Sequence, residues 1–515
     1  MISSGARRWL AAAALTLGVL AVGLDVTVLS VALPTLAASL RATESDLQWF
    51  SSGYALTLAA GMLPAGVLGD RFGRKRVMLG ALVLFGAGSV VCAFSPSPAV
   101  FIAARVVLGA AGAAMVVMVL SIFTVLFSEE ERPRVVGIWA AANFLALPIG
   151  PLLGGWLLTN YWWGWVFLMN LPVAALGLIA VIALVPESRA QERPALDPIG
   201  MVAASGGLAA VTYGLIGLGR LGWTDPGSLV ILAAGVLVLC GFFAWERRLT
   251  SRPGGRPLIE LALFKSRGFT WGVILAALGG MSLFGIIFTM PQYSQGVLGL
   301  DPQGAGLRLL PVILGLVVGA VPADRIAAAI GPKLTVAAGF AITTGGLVVG
   351  ATTAIGTSDW FSATWMAVVG FGMGIAFATA ASAALKTVPS ERSGVASALV
   401  QAMQKVGAPL GSAILGSVLA SEYRSQLNLG GLPAGVAEPI RQSVFAGVAV
   451  AEKLHSPALL SSVRHAFVHG MDAAFLVSAG MAILGIVLAL AFMPGRTATT
   501  HEAATLPVTE AKSVA

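Results

Sequence analysis

The chain has 515 residues, of which 57% are hydrophobic and 10% charged, with a formal net charge of +8. Soluble domains carry about 25% charged residues, so the composition excludes an ordinary soluble enzyme and indicates a membrane-embedded chain. The positive charge is distributed over loops between apolar segments rather than gathered in one basic patch, which argues against nucleic acid as a partner.

In chain order, apolar stretches long enough to cross a bilayer predict fourteen helices, at 9–34, 47–69, 77–95, 97–126, 133–158, 163–186, 197–219, 226–246, 268–290, 302–323, 333–353, 360–385, 395–419 and 470–494. The first is too long for a cleavable signal and lacks an A-x-A site followed by a soluble chain. With the N-terminus inside, most of the 31 Lys and Arg fall on the cytoplasmic side, and the short outer loops receive only Arg41 and Arg220. That is the positive-inside pattern, so both termini are expected in the cytoplasm. Cys92 and Cys240 fall in spans three and eight, where small buried hydrophobes are expected rather than a disulfide.

The spans divide as 6 + 2 + 6, an all-α polytopic membrane protein. Residues 1–190 form an N-terminal six-helix bundle that ends in "PESRAQERPALDP". Residues 191–267 supply two inserted helices and the basic linker that begins at "ERRLTSRPGGRP". Residues 268–496 form a C-terminal six-helix bundle, and 497–515 a disordered cytoplasmic tail. A trace of duplication links the bundles. "GVLGDRFGRKR" (66–76) follows the second helix of the first, and "PADRIAAAIGPK" (322–333) the second helix of the last. The outer loop 420–469 contains two amphipathic runs, predicted as a hairpin on the membrane surface or a cap on the bundle.

Asp25, in "GVLAVGLDVTVLSVALP" (18–34), lies about 24 Å along the first helix at ~1.5 Å per residue, in the outer half of the membrane. An acid there costs about 2.5–3.5 kcal/mol on insertion scales and is placed well inside the hydrocarbon. It is expected to face a cavity and exchange a proton, or else to bond across helices structurally. Arg105 in the fourth helix is expected to be paired or solvated, or to snorkel to the outer end. Arg308 is expected at the outer mouth or snorkelling. His465 and His469 are four apart but lack a visible third ligand, so no metal site is expected. Trp162, Trp163 and Trp165 read as an interfacial belt.

Four motifs resemble those of the major facilitator superfamily. Gly66, Leu68, Asp70, Arg71, Gly73, Arg74 and Lys75 are similar to its signature between helices 2 and 3, with Gly69 in place of the usual alanine. Arg105 and Gly109 match its helix-4 motif. Gly137, Gly150, Pro151, Gly154 and Gly155 match its antiporter motif in helix 5, with Ala146 for the second glycine. "LDVTVLSVALP" resembles the first-helix motif of its fourteen-helix drug:H⁺ antiporters, of the QacA and EmrB type, with Ser30 for the usual Asn; "WWGWVFLMNLPVA" (162–174) is similar to the same branch.

This resemblance implies a conformational latch at Gly66–Lys75 and proton coupling at Asp25 and Arg105. It implies a bacterial inner-membrane antiporter that exports lipophilic, monovalent cationic or neutral drugs, or alternatively a dedicated exporter of one endogenous metabolite or antibiotic. It further implies a monomer with lipid, drug and proton as partners, and no cofactor beyond the proton gradient. The further cavity acids of QacA-type pumps correspond here to Ser52, Leu316 and Val400–Gln401, with Lys405 nearby, which makes divalent cations poor candidates. No G-x-x-x-x-G-K-[ST] and no nucleophile triad occurs, so no enzyme is expected.

Overall fold

The structure is a computed structural model that describes residues 4–128, 131–189, 197–252, 261–386, 388, 393–429 and 432–495. The expected tail lies outside the described residues.

The first half contains α1 (Ser4–Leu40), α2 (Glu44–Phe72), α3 (Arg74–Ala93), α4 (Pro98–Leu126) and α5 (Arg132–Asn160). Its sixth span is broken at Met169 into α6 (Trp165–Leu168) and α7 (Asn170–Leu184). The inserted pair is α8 (Pro198–Leu221) and α9 (Pro226–Thr250). The second half comprises α10 (Arg267–Gln292), α11 (Pro302–Arg308), α12 (Leu310–Ile330), α13 (Pro332–Gly350), α14 (Asp359–Lys386) and α15 (Ser393–Gln426). Two short helices, α16 (Ala434–Gln442) and α17 (Val444–Lys453), then lead into α18 (Pro457–Phe492).

The helix starts follow from local chemistry. Thr43 caps α2 in a reciprocal box with Asp46, and Ser97, Asp197, Asp225, Asp301 and Ser456 cap helices that open on proline. Each side chain accepts from an otherwise unpaired first-turn N–H, and proline fits a first turn because its missing N–H is not needed there.

Among the described residues, eleven helices are long and apolar enough to span a membrane; α2, bent by 51° between Met62 and Pro64, makes twelve if it is one span. The proline accounts for the bend, since it removes a backbone bond and clashes with the preceding turn. The other long helices, α5 (29 residues) and α15 (34 residues), do not enter that count.

Buried apolar side chains form two large cores. One joins Leu15, Phe50, Phe85, Phe101 and Phe123 within the first half. The other joins Leu275, Phe340, Trp365, Met373 and Phe475 within the second. The inserted pair lies across the seam: α8 packs on both α2 and α15, and Ser417 Oγ donates to Leu215 O at 2.9 Å.

Three details differ from the sequence reading. The run 456–470 is no arm of a hairpin; it forms the first turns of the 36-residue α18. Its buried face, Leu459, Val463, Ala466, Phe467 and Gly470, continues in helical register into the span. Only α16 and α17 cap the bundle, held by Tyr423 Oη donating to Ile440 O at 2.9 Å. Asp472, near the start of the expected span 470–494, therefore falls in the middle of α18, with Oδ1 buried and without a hydrogen-bond partner. Cys92 is buried as expected, but Cys240 is exposed on α9, where an apolar side chain is stable against lipid.

Candidate functional site: a buried ion pair beside the seam

α1 brings Asp25 against Arg105 of α4, and Arg105 Nη1 donates to Asp25 Oδ2. Both side chains are 1% exposed. Arg105 therefore does not snorkel. Its Nε donates to Phe50 O at 3.1 Å, and its guanidinium carbon lies 4.2 Å from the centre of the Tyr54 ring. A desolvated cation is stabilised by an aromatic face, by about 2 kcal/mol or more. On the far side of Asp25, Asn170 Nδ2 donates to Oδ1 at 3.3 Å and to Ser89 Oγ at 3.2 Å. Asn170 opens α7 just after the break at Met169, so the interruption in the sixth span is what aims this amide into the site.

Glycines permit the close approach. At Gly109, four residues along α4 from Arg105, a Cβ would lie 2.3 Å from Tyr54 O. Any larger residue would push α2, and Tyr54 with it, away from the pair.

The small cavity at the centre of the molecule is lined from both halves, by Ser30, Tyr54 and Arg105 on one side and Phe284, Phe288 and Ser412 on the other. Its volume is about 30 Å³, room for about one water. Asp25 was expected to face a cavity. Arg105 lines it instead, and Asp25 lies behind, because a carboxylate within reach of a guanidinium gains more from the pair than from a narrow, apolar opening. Ser52 and Ser412 meet across the seam at 2.9 Å.

The glycines of α5 serve two interfaces. A Cβ at Gly150 would lie 1.9 Å from Thr27 Oγ1, and one at Gly154 would lie 2.6 Å from Val28 Cγ1, so these two let α1 approach. Gly155 faces the other half, where a Cβ would lie 2.7 Å from Gln303 Cα. Gly306 of α11 reciprocates, with its Cβ position 2.3 Å from Pro151 O. Thr27 Oγ1 also donates to Ala146 O at 3.0 Å, where the small side chain replaces the motif's second glycine. Gly137 lies in the first turns of α5, and its surroundings fall outside the described residues, as do the side chains of Gln401 and Lys405.

The loop between α2 and α3 is held within the first half. Gly66 packs near Val117, with its Cβ position 3.6 Å from Cγ1. Arg74 bonds Asp70 at 2.9 Å and donates to Ser121 O at 3.2 Å, and Lys75 Nζ donates to Ile182 O at 2.8 Å. Arg71 lies over the Phe72 ring at 5.7 Å. Gly73 has φ +109°, a conformation natural to glycine, and a Cβ there would lie 2.5 Å from Glu187 Oε1. That carboxylate accepts from Lys75 N at 3.2 Å and approaches Arg76 at 3.6 Å. The related junction of α12 and α13 turns on Gly331 at φ +88°, and Ser382 Oγ donates there to Asp324 Oδ1 at 3.2 Å. Thus the weak repeat has a matching backbone turn.

The two halves are fastened toward the opposite end of the bundle. Gln292 Nε2 donates to Glu44 Oε1 at 3.3 Å, and Gln295 Nε2 to Val31 O at 2.9 Å. Arg308 neither lines the cavity nor snorkels free; it pairs with Asp359. His465 Nδ1 shares a bond with Ser461 O at 2.8 Å, and both histidines are exposed.

Sequence reasoning missed Asn170, Tyr54, Ser412 and Glu187. A polar amide within an apolar span was a usable signal for Asn170; nothing local marked Glu187, whose partners Lys75 and Arg76 lie over 100 positions away.

Residues 15–412 match the model of the Major Facilitator Superfamily. The chain is 31% identical to the tetracenomycin C resistance and export protein of Streptomyces glaucescens, over 94% of this chain and 91% of the relative. It is 30% identical to the multidrug efflux pump LfrA of Mycolicibacterium smegmatis, over 93% and 96%. Among solved structures, it is similar in fold to a bacterial homolog of the human lysosomal transporter Spinster, in an inward-facing and unoccupied conformation. There the TM-score is 0.65 at 16% identity, covering 95% of this chain and 99% of that one.

Proposed function

The chain belongs to the Major Facilitator Superfamily, and from that premise we propose that it exports drugs across a bacterial cytoplasmic membrane in exchange for protons. It is a transporter rather than an enzyme. Relatives of nearly full length named for drug resistance and export support the efflux reading. The observation that carries the proton coupling is the Asp25–Arg105 pair, buried at 1% exposure and sharing its cation with the central cavity.

The mechanism follows from the cost of breaking that pair. While Asp25 is ionised, Arg105 is held against Phe50 O and the Tyr54 ring. A proton on Asp25 removes the charge and leaves Arg105 uncompensated on the cavity wall. Loss of one partner from a buried pair costs about 3–5 kcal/mol, close to the ~5.5 kcal/mol that turns a 1:99 equilibrium into 99:1. A membrane potential supplies about 2.3 kcal/mol per charge per 100 mV, so about 130–220 mV of total driving force matches that cost. Asn170 is uncharged and holds Asp25 in either state, so the carboxyl stays in place while Arg105 moves.

On this reading α5 and α15 cross the membrane with the twelve spans above, giving fourteen. Both termini and the loop 66–76 are cytoplasmic, and the end fastened by Glu44–Gln292 is exoplasmic. Gly155 and Gly306 close that end, and the loop 66–76 acts as the cytoplasmic latch. We propose a monomer, with membrane lipid around it and no cofactor.

The test is uptake into inverted vesicles: a pH gradient should drive accumulation, and a protonophore should abolish it. Accumulation that survives collapse of the gradient would overturn proton coupling. A second reading, export of one endogenous metabolite or antibiotic, is supported by the tetracenomycin exporter among the relatives. A single accumulated compound in a broad drug panel would favour it.

A further inference from the structure

We propose that the central cavity selects uncharged aromatic molecules carrying both hydroxyl donors and a carbonyl acceptor, rather than cations. The inference rests on the reading of this cavity as the transport site and narrows its substrate class.

Among the described residues that line the cavity, Arg105 carries the one ionisable charge, and no carboxylate faces the opening. Asp25 is 1% exposed and lies behind the guanidinium. A cationic ligand would meet the positive end of the pair first, in a setting where screening by water is weak. An anionic ligand meets the opposite difficulty. It would compete with Asp25 for Arg105, and a carboxylate stripped of its cation in a closed interior is strongly disfavoured. An uncharged ligand avoids both penalties and leaves the pair intact.

The remaining walls specify polarity and shape. Ser30 Oγ donates to Thr27 O at 2.7 Å, and Ser412 Oγ lies 3.1 Å from Ala408 O and 2.9 Å from Ser52 Oγ. A hydroxyl that donates to its own helix still offers a lone pair, so these serines present acceptors to a ligand hydroxyl. Arg105 has five N–H donors. Phe50 O and Asp25 take two of its nitrogens, Nε and Nη1, and the rest of the fork can reach a ligand carbonyl. Phe284 and Phe288 supply the opposite wall, against which an aromatic ring packs by offset or edge contact. The cavity's volume of about 30 Å³ means that such a ligand enters when the halves part, along the same lining.

The experiment uses the purified full-length protein in liposomes under an imposed pH gradient, with protein-free liposomes and a protonophore as references. Three probes share one ring system: an uncharged hydroxyanthraquinone, its trimethylammonium derivative and its sulfonate. We expect protein-dependent flux of the uncharged probe to exceed that of each charged one by about tenfold, equivalent to a single pK unit of discrimination. Equal or faster flux of the cation removes this inference and leaves transport standing. Absence of gradient-driven flux for all three removes the transport reading, and the inference with it. Ser412→Asp, or Ser30→Asp should the first fail to fold, places a carboxylate on the wall. Either should shift the flux ratio toward the cation by about tenfold; an unchanged ratio in a folded variant would overturn the inference.

Discussion

Asn170 stands directly behind Asp25: its Nδ2 lies 3.3 Å from the Oδ1 that Arg105 does not use, and its own side chain is fixed by Ser89 at 3.2 Å. Asn170→Ala removes a buried donor to a charged acceptor, an interaction worth about 1.5–3 kcal/mol. The variant should insert and bind drug, but its transport should fall about tenfold and its pH profile should shift relative to wild type. Asn170→Gln, which retains the amide, should recover part of the loss. An unchanged pH profile in Asn170→Ala would make the residue a packing element alone.

A second expectation concerns closure of the seam. Gly155 approaches Gln303 so closely that a Cβ would lie 2.7 Å from its Cα. Gly155→Val should hold the adjoining ends of α5 and α11 apart, lengthening the distance between spin labels placed there and slowing turnover by about tenfold or more. Wild-type distances with wild-type turnover would remove this contact from the switching mechanism.

The loop at 66–76 should separate turnover from affinity. Asp70 anchors Arg74 at 2.9 Å on the first half's own framework. Asp70→Ala should lower turnover about tenfold while drug affinity stays within about twofold, a difference under 0.5 kcal/mol. Binding lost as completely as transport would contradict a latch.

Topology has its own check. Gln442 is exposed at the end of α16, so Gln442→Cys should react with an impermeant thiol reagent from outside intact cells. The exposed native Cys240 is replaced by Ala beforehand. Labelling from inside only would invert the orientation.

Much of the membrane architecture was legible because bilayer thickness sets a minimum apolar length, and charges at span ends are costly to misplace. Glycine marked the turn at Gly73, whereas the bend of α2 at Pro64 went unread, because a proline inside an apolar span does not by itself say whether the helix bends or stops. The start of α18 was misjudged because 456–470 is amphipathic and its helical register alone cannot say where the membrane begins. At the site, Asp25 and Arg105 were each conspicuous as charges at depth. That they form a pair depends on α1 and α4 meeting across 80 positions of sequence, a relation that no local pattern encodes. Glu187 was illegible for the same reason.

The most direct measurement is proton-driven drug efflux by Asp25→Asn in purified, membrane-inserted form. The amide keeps the size of the carboxyl but cannot ionise, and like the protonated acid it offers one acceptor and one donor, so it holds the site in its neutral form. Efflux should no longer respond to an imposed pH gradient, while the protein still folds and still binds an uncharged drug. Gradient-driven efflux at the wild-type rate would contradict the assignment of Asp25 and leave its pairing with Arg105 a structural bond.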